Sequence, residues 1–191
     1  MIKERAQWFL DTFPHLKEVL ITLSKHKIPF FIGGSGSLFL FGNEREPKDV
    51  DIFIPNKHHD EVDALFGITS EVYTSPLERV RNSHPFGLHD LQITSHLEIA
   101  AEGKMYTFSF DESFVRKDCQ IEMDGLVISV LPPEDALIIK AILQRGKSVG
   151  KHDVEDIRIF LHIYKKIDTE YLQKRIRLLD AEDRTRGIFP L

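Results

Sequence analysis

Apolar residues recur along the chain with two different periods. Near the start, Leu16, Val19, Leu20 and Leu23 are spaced as on one face of a helix, whereas later segments are continuous apolar runs or alternate, as strands do. Most of the pattern over 68–130 is typical of strands. The periods predict helices over residues 3–11, 15–26, 38–41, 58–66, 134–145, 153–164 and 169–180, and strands over 28–32, 49–54, 91–100, 105–110, 119–123 and 126–131.

The order of these elements is mixed α/β first and helical afterwards. Pro132-Pro133 ends the region of predicted strands, and Asp124-Gly125 is typical of a hairpin turn between the last two. A chain of 191 residues is long enough for one compact core with a short appended element. We therefore expect an α/β core over 1–131 and a C-terminal helical subdomain over 132–191.

Composition narrows the class of protein. Hydrophobic residues make up 42% and charged residues 29%, which is ordinary for a globular chain. With Cys119 as the single cysteine, an intramolecular disulfide is impossible, and the histidines lack the spacing of a zinc site. No stretch resembles a signal peptide, and no apolar run approaches the roughly 20 residues that span a bilayer. We expect a soluble cytoplasmic protein without a membrane partner.

Charge is distributed unevenly. The net charge of −5 gives no general reason to expect binding to nucleic acid. Residues 140–186 carry 12 Lys and Arg against 8 Asp and Glu, net +4, which leaves −9 for the rest of the chain. Attraction between two packed lobes would explain this. Alternatively, the acidic part holds a cation while the basic part faces an anionic substrate.

A glycine-rich segment, Gly33-Gly34-Ser35-Gly36-Ser37, lies between a predicted strand and a predicted helix. Such a turn allows close approach of the backbone and presents free N–H groups where a phosphate is stabilised. The segment matches neither a P-loop nor a dinucleotide-binding fingerprint. A tight strand-to-helix turn without a ligand is the alternative.

Two acidic residues, Asp49 and Asp51, alternate with apolar residues in the next predicted strand. Residues i and i+2 of a strand point to the same face. Two carboxylates about 5 Å apart repel by roughly 3 kcal/mol at an effective dielectric constant of about 20, and a divalent cation removes this repulsion. The pair therefore predicts a magnesium site, with two solvated acids at a strand end as the alternative.

Together, Ile32-Gly33-Gly34-Ser35 and Asp49-Val50-Asp51-Ile52 resemble the nucleotidyltransferase fold of the DNA polymerase beta superfamily, above all its small stand-alone members of the antibiotic and toxin type. The resemblance implies a mixed β-sheet flanked by helices. It also implies transfer of a nucleoside monophosphate from a nucleoside triphosphate to a hydroxyl of a small molecule, RNA or protein. Asp49 and Asp51 would bind Mg²⁺ or Mn²⁺, and Gly33, Gly34, Ser35 and Ser37 would bind the nucleotide.

The resemblance implies three further site residues. A third carboxylate is expected from a later strand, and Leu97-Glu98-Ile99 matches its setting, with Asp90 as the competitor. Glu98 would then sit beside Asp49 and Asp51, completing the catalytic and metal-binding set. Lys140, in a segment that resembles the Pro-Glu-Asp helix start of these proteins, and Lys151 would bind the triphosphate.

Two alternatives stay open at this stage. Asp153 and Asp156 share one helix face and could equally pair with Lys140 or Arg145 in a purely structural role. The chain could also be a non-catalytic nucleotide-binding or toxin–antitoxin regulatory module on the same fold. The sequence does not indicate the acceptor, the preferred nucleotide or the oligomeric state.

Overall fold

The structure, a computed structural model, describes residues 2–189. Its helices are α1 (Ile2–Thr12), α2 (Leu16–Lys25), α3 (Gly34–Leu40), α4 (His59–Phe66), α5 (Pro133–Leu143), α6 (Asp153–Ile163), α7 (Thr169–Leu178) and α8 (Glu182–Thr185). Its strands are β1 (Phe31–Ile32), β2 (Val50–Phe53), β3 (Glu71–Thr74), β4 (Glu78–Ser83), β5 (Leu91–Ala101), β6 (Lys104–Ser109), β7 (Gln120–Met123) and β8 (Leu126–Ser129).

Six of the strands form one mixed sheet. Their order is β1-β2-β5-β4-β3, and β6 pairs with the distal part of β5. Strand β2 runs parallel to β5, whereas the other pairs in this sheet are antiparallel. Strands β7 and β8 form a separate hairpin. The predicted α/β architecture, with a mixed sheet flanked by helices, is confirmed.

Strand β5 is the longest of the described strands, and the alternation of its side chains between the two faces of the sheet shifts by one residue midway. Thr94 pairs with Asn82, but His96 pairs with Arg81, so Ser95 is one extra residue on β5. Such a β-bulge reverses the faces to which the following side chains point. Gln92 and Thr94 before the bulge therefore share a face with Leu97 and Ile99 after it, and His96 and Glu98 point to the opposite face.

Two apolar clusters cover the two faces of the sheet. On one face, Val50, Ile52, Leu91 and Ile93 pack against helices α1, α2 and α4. On the other, Phe53, Leu97 and Ile99 pack together with α5, α6 and α7. Helix α5 is buried along its whole length because it lies between the sheet and the later helices. The C-terminal helices thus share an apolar cluster with the sheet.

Most predicted elements are present, with shifted ends. The prediction was wrong about the start of α3, which begins at Gly34 rather than at Leu38. Burial of the apolar half, Leu38 to Leu40, stabilises this helix although glycine and serine are poor helix formers. Helix α8 and the positions of β3 and β4, within 66–86, were not predicted. At Asp124-Gly125 both residues have positive φ, at 50° and 77°, as the predicted tight hairpin turn requires.

The predicted division at residue 131 stays a prediction. Met1, Pro190 and Leu191, which fall within its two parts, lie outside the described residues. From Ile2 to Phe189, no helix is long and apolar enough to cross a membrane.

Candidate functional site

A cleft of about 520 Å³ opens between the sheet and the C-terminal helices. Its lining comes from Gly34 and Ser35 of the glycine-rich segment, the loop before β2, strands β2, β4 and β5, helix α5 and the segment 150–156. One wall is apolar and is formed by Phe53, Val80, Leu97, Ile139 and Leu143. The remainder is strongly charged. This combination suits a ligand with an anionic part and an apolar part.

Asp49 and Asp51 both line the cleft, as the alternation in the sequence predicts. Asp49 directly precedes β2, and Asp51 is half-buried within it. The pKa of Asp51 is raised to about 6, mainly by burial and secondly by the neighbouring charge of Asp49. Lys151 and Arg145 act in the opposite direction. Neither aspartate makes an ion pair with any residue that the structure describes.

The glycine-rich segment packs directly against β2. The N–H of Gly33 donates a hydrogen bond of 2.8 Å to the carbonyl of Asp51. Gly34 has a φ of +56°, and a Cβ there would lie 2.0 Å from Asp51 Oδ2. Only glycine therefore lets the backbone come this close to the carboxylate. Gly34 and Ser35 line the cleft, so this part of the predicted phosphate cradle lies beside the two aspartates.

Gly33 and Ser37 do not line the cleft. Ser37 is fully buried in α3, and its hydroxyl donates to the carbonyl of Gly34 at 3.4 Å. Gly33 is also buried, with the Phe53 ring occupying the space where a Cβ would be. The early start of α3 turns the Ser37 side chain into the core, away from the cleft. Binding of a nucleotide by Gly33 and Ser37 stays a prediction.

Lys140 lines the cleft, but its charge is already paired. Its side chain is 9% exposed, and its Nζ lies 3.1 Å from Asp153 Oδ1 and 3.0 Å from Asp156 Oδ2. This is the structural alternative that the spacing of the two aspartates left open. A direct contact of Lys140 with a triphosphate stays a prediction, which would require the ammonium group to leave two buried carboxylates.

Arg145 extends this charged cluster. It lies 2.9 Å from Asp153 Oδ2 and 2.8 Å from Glu78 Oε1, and therefore joins α6 to the sheet. Burial alone would raise the pKa of Asp153, but the hydrogen bond from Arg145 and the charge of Lys140 bring it below its ordinary value. Arg45, on the loop before β2, lies 3.2 Å from Asp156 Oδ1.

Two lysines of the cleft remain without a carboxylate partner among residues 2–189. Lys48 and Lys151 are exposed, line the cleft and make no ion pair within the described chain. Lys151 is close enough to Asp51 to lower its pKa. The predicted anion-binding residue Lys151 thus lies beside the aspartates, and Lys48, adjacent in sequence to Asp49, was not predicted.

Glu98 is not brought to the two aspartates. The bulge at Ser95 turns it to the opposite face of the sheet, where its carboxylate lies 3.1 Å from His96 Nε2 and 3.8 Å from Arg79 Nη1. This corrects the expected position of Glu98. The competitor Asp90 is exposed and does not line the cleft either.

Gln92 occupies the position on β5 that pairs with Asp51. It lines the cleft and was not predicted as a site residue. Its setting, Leu91-Gln92-Ile93, has the same apolar flanks as Leu97-Glu98-Ile99. Apolar flanks alone do not reveal a bulge between the two segments, so the pattern could not separate the candidates.

The donor set of the cleft suits a hard cation. Two adjacent carboxylates are ligands that Mg²⁺ or Mn²⁺ accepts, together with water and phosphate oxygens. Within the described part of the chain, no group of three histidine, cysteine or acidic side chains could hold a metal ion.

The fold is that of the nucleotidyltransferases. A Thermotoga maritima protein assigned to this class has a TM-score of 0.52, with 19% identity over 80% of this chain and 93% of that one. The antibiotic-resistance factor ANT(2'')-Ia (TM-score 0.47, 15% identity, 90% of each chain) and a lincomycin-bound lincosamide adenylyltransferase (0.47, 15%, 78% of this chain and 96% of that one) are also similar.

The family follows from the sequence model that matches residues 12–186, described as nucleotidyl transferase of unknown function. The chain belongs to this family and is accordingly a nucleotidyltransferase, as its two motifs predicted. No curated protein matches it significantly.

Proposed function

We propose that the protein moves a nucleoside monophosphate from a nucleoside triphosphate to an oxygen of an acceptor, in a reaction that needs Mg²⁺ or Mn²⁺. One observation carries this proposal. Asp49 and Asp51 line the cleft beside Gly34 and have no cationic contact within residues 2–189, whereas the other aspartates of the cleft are paired. An uncompensated pair of carboxylates is costly unless a cation joins it.

The roles of the side chains follow from their positions. Asp49 and Asp51 would hold the cation, which when bound offsets charge on the triphosphate during in-line displacement. The backbone at Gly34 and Ser35 would contact phosphate oxygens. Lys151 would contact them as well, since its ammonium group is exposed and without an ion pair in the described chain. Lys140 would act mainly by fixing α6 against α5.

The resemblance of the two motifs implies an acceptor hydroxyl, on a small molecule, RNA or protein. The apolar wall around Phe53, Leu97 and Ile139 offers a surface for the less polar part of a nucleotide or an acceptor.

The test combines binding with transfer. The protein is incubated with each of the four α-labelled nucleoside triphosphates, Mg²⁺ or Mn²⁺, and candidate acceptors. We expect cation-dependent thermal stabilisation by at least one triphosphate and release of pyrophosphate. Both should disappear in the double variant D49N/D51N and persist in D90N, because Asp90 lies outside the cleft. Equal stabilisation of D49N/D51N by the triphosphate would contradict the proposal.

A second function is favoured by Gln92. An amide rather than a carboxylate stands next to Asp51 on β5, which suits a module that binds nucleotide and regulates a partner, as in toxin–antitoxin pairs, without turnover. Tight cation-dependent binding of a triphosphate without pyrophosphate release would support this alternative, provided that D49N/D51N retains the cellular effect.

A further inference from the structure

Gln92 lies next to Asp51 in the proposed site. Its Cα pairs with that of Asp51 across the parallel strands β2 and β5, and both side chains line the cleft. A group bound between the aspartates and the apolar wall would meet this amide. The hydrogen-bonding properties of Gln92 therefore bear directly on which acceptor oxygen can approach.

A chain of hydrogen bonds orients the amide. Thr94 Oγ1 donates to Asn82 Oδ1 at 2.7 Å, and Asn82 Nδ2 donates to Gln92 Oε1 at 3.1 Å. The carbonyl of Gln92 is thus engaged, which leaves its NH₂ group as the donor available to a ligand. A donor at this place stabilises a negatively charged oxygen and cannot remove a proton from a hydroxyl.

The other carboxylates of the cleft are poorly placed to act as a base. Glu78 is bound by Arg145, and Asp153 and Asp156 are bound by Lys140. Glu46 lines the cleft without a cationic partner in the described chain, but it stands on the exposed loop before β2. On β5, beside Asp51, the residue is an amide.

On the basis of the proposed function, we propose that Gln92 is an acceptor-binding residue. It selects, in place of the hydroxyl that the resemblance implies, an acceptor oxygen already ionised at neutral pH, that of a phosphate monoester or a carboxylate. The anionic oxygen attacks the α-phosphorus, a new P–O bond forms, the bond from the α-phosphorus to the bridging oxygen breaks, and pyrophosphate leaves with that electron pair. No proton has to be removed from the acceptor. No side chain of the protein therefore has to act as a base.

The test compares three acceptors of similar shape. Phenyl phosphate, benzoate and benzyl alcohol are offered with Mg²⁺ and each triphosphate, and pyrophosphate release and the products are measured by phosphorus NMR. We expect at least one of the two anions to be used about tenfold or more faster than the alcohol. The two anionic arms separate phosphate from carboxylate as the source of the oxygen. Benzyl alcohol used as well as either anion would overturn the inference, and loss of that activity in E46Q would identify Glu46 as the base.

Variants at Gln92 test its role. Q92E places a negative charge where the acceptor anion binds, and we expect it to lower transfer to the anion about tenfold while transfer to benzyl alcohol falls less or rises. Q92A, which removes the donor without adding charge, should also reduce the preference for the anion and serves if Q92E does not fold. Q173E changes an exposed glutamine of α7 and is the matched control. An unchanged preference in both Gln92 variants would overturn the inference.

A binding measurement keeps this result separate from the proposed function. With a non-hydrolysable triphosphate and Mg²⁺ bound, each of the three compounds is titrated and followed by NMR. Tighter binding of an anion than of benzyl alcohol, lost in Q92E, supports the inference even if none of the compounds is turned over. Equal binding of all three, or none, overturns it. Binding of the triphosphate itself, and its loss in D49N/D51N, reports on the proposed function independently.

Discussion

Two pairs of aspartates line the same cleft, and only one of them is neutralised by cationic side chains of the described chain. Asp153 and Asp156 on α6 are buried, and the cations of Lys140, Arg145 and Arg45 neutralise them. Asp49, just before β2, and Asp51, within it, make no ion pair in the described chain. Accordingly the pKa of Asp153 lies below its ordinary value, whereas that of Asp51 is raised to about 6. The ion pairs of Asp153 and Asp156 stabilise the fold, whereas Asp49 and Asp51 leave two negative charges that a bound cation would neutralise.

The largest expected effect concerns the uncompensated pair. D51N removes one proposed ligand of the cation, so we expect nucleotidyl transfer to fall on the order of 10³-fold, about 4 kcal/mol of transition-state stabilisation. The folded structure should persist, as followed by circular dichroism, because Asp51 makes no ion pair with a described residue. A single-turnover rate within tenfold of the wild type would contradict this assignment.

Breaking the compensated pair should instead affect stability. K140A leaves Asp156 with Arg45 alone, and buried carboxylates that lose a partner are strongly destabilising, so we expect the free energy of unfolding to fall by about 3 kcal/mol. Urea denaturation measures the change. K147A, at an exposed lysine, is the control and should stay within about 0.5 kcal/mol. A K140A protein as stable as this control would show that the cluster contributes little.

The pH dependence of stability in the metal-free protein should distinguish the two aspartate pairs. The pKa of Asp51 is raised from 3.8 to about 6, so the native state binds its proton more tightly than the unfolded chain does. The stability that protonated Asp51 gives to the folded state is present below pH 4 and is lost as the pH rises through about 6. D51N should therefore be about 2 kcal/mol more stable than the wild type at pH 7 without metal, after allowance for partial exposure.

Chemical denaturation at pH 4 and pH 7, with and without Mg²⁺, measures this difference. The advantage of D51N should largely disappear near pH 4, where the carboxyl group is protonated in the native state and partly protonated in the unfolded chain. Mg²⁺ should stabilise the wild type at pH 7 and leave D51N nearly unchanged. An advantage of D51N that is the same at both pH values would exclude the titration of Asp51 as its cause.

A smaller effect is expected from the backbone beside Asp51. G34A adds a methyl group 2.0 Å from Asp51 Oδ2 at a φ of +56°, so we expect a loss of about 2 kcal/mol in stability and roughly tenfold in transfer rate. G103A is the matched control, since Gly103 has a φ of +79° with no atom within 4 Å of an added Cβ. The difference between the two variants isolates the contact with the carboxylate from the backbone strain.

The smallest effect is expected at Glu98. E98Q alters a carboxylate on the opposite face of the sheet, paired with His96 and near Arg79, so transfer should stay within about twofold of the wild type and stability within about 0.5 kcal/mol. Steady-state rates at saturating triphosphate measure it. A loss comparable with that of D51N would mean that the carboxylate reaches the cleft during turnover.

The Asp49 and Asp51 pair and the glycine-rich turn at Gly34 could both be predicted from the sequence, because strand alternation and glycine-rich turns are local properties. The fold class, helices α5, α6 and α7 and the Asp124-Gly125 hairpin could be predicted for the same reason. The partners of Lys140 could be narrowed to two alternatives, a triphosphate or the carboxylates of α6. The choice between them depends on how α5 and α6 pack, which is a tertiary property.

Other features depend on relations between distant strands. Strands β3 and β4 contain exposed and charged residues, such as Glu71 and Arg79, that weaken any periodic signal. The register of β2 against β5 places Gln92 beside Asp51, whereas Glu98 lies six residues further along β5 and, after the extra residue Ser95, on the other face. Burial of Ser37 depends on the early start of α3, which glycine and serine do not signal.

The extra residue at Ser95 also predicts how related chains can vary in length. Deleting it would remove the bulge but leave Leu97 and Ile99 in the apolar cluster, because Thr94, His96 and Leu97 would then alternate regularly. Keeping the residue without the bulge would instead turn His96 and Glu98 into that cluster. In an alignment of related chains, we expect a one-residue gap to be tolerated at Ser95, and an acidic residue on β5 to be informative only when its position is counted from the bulge.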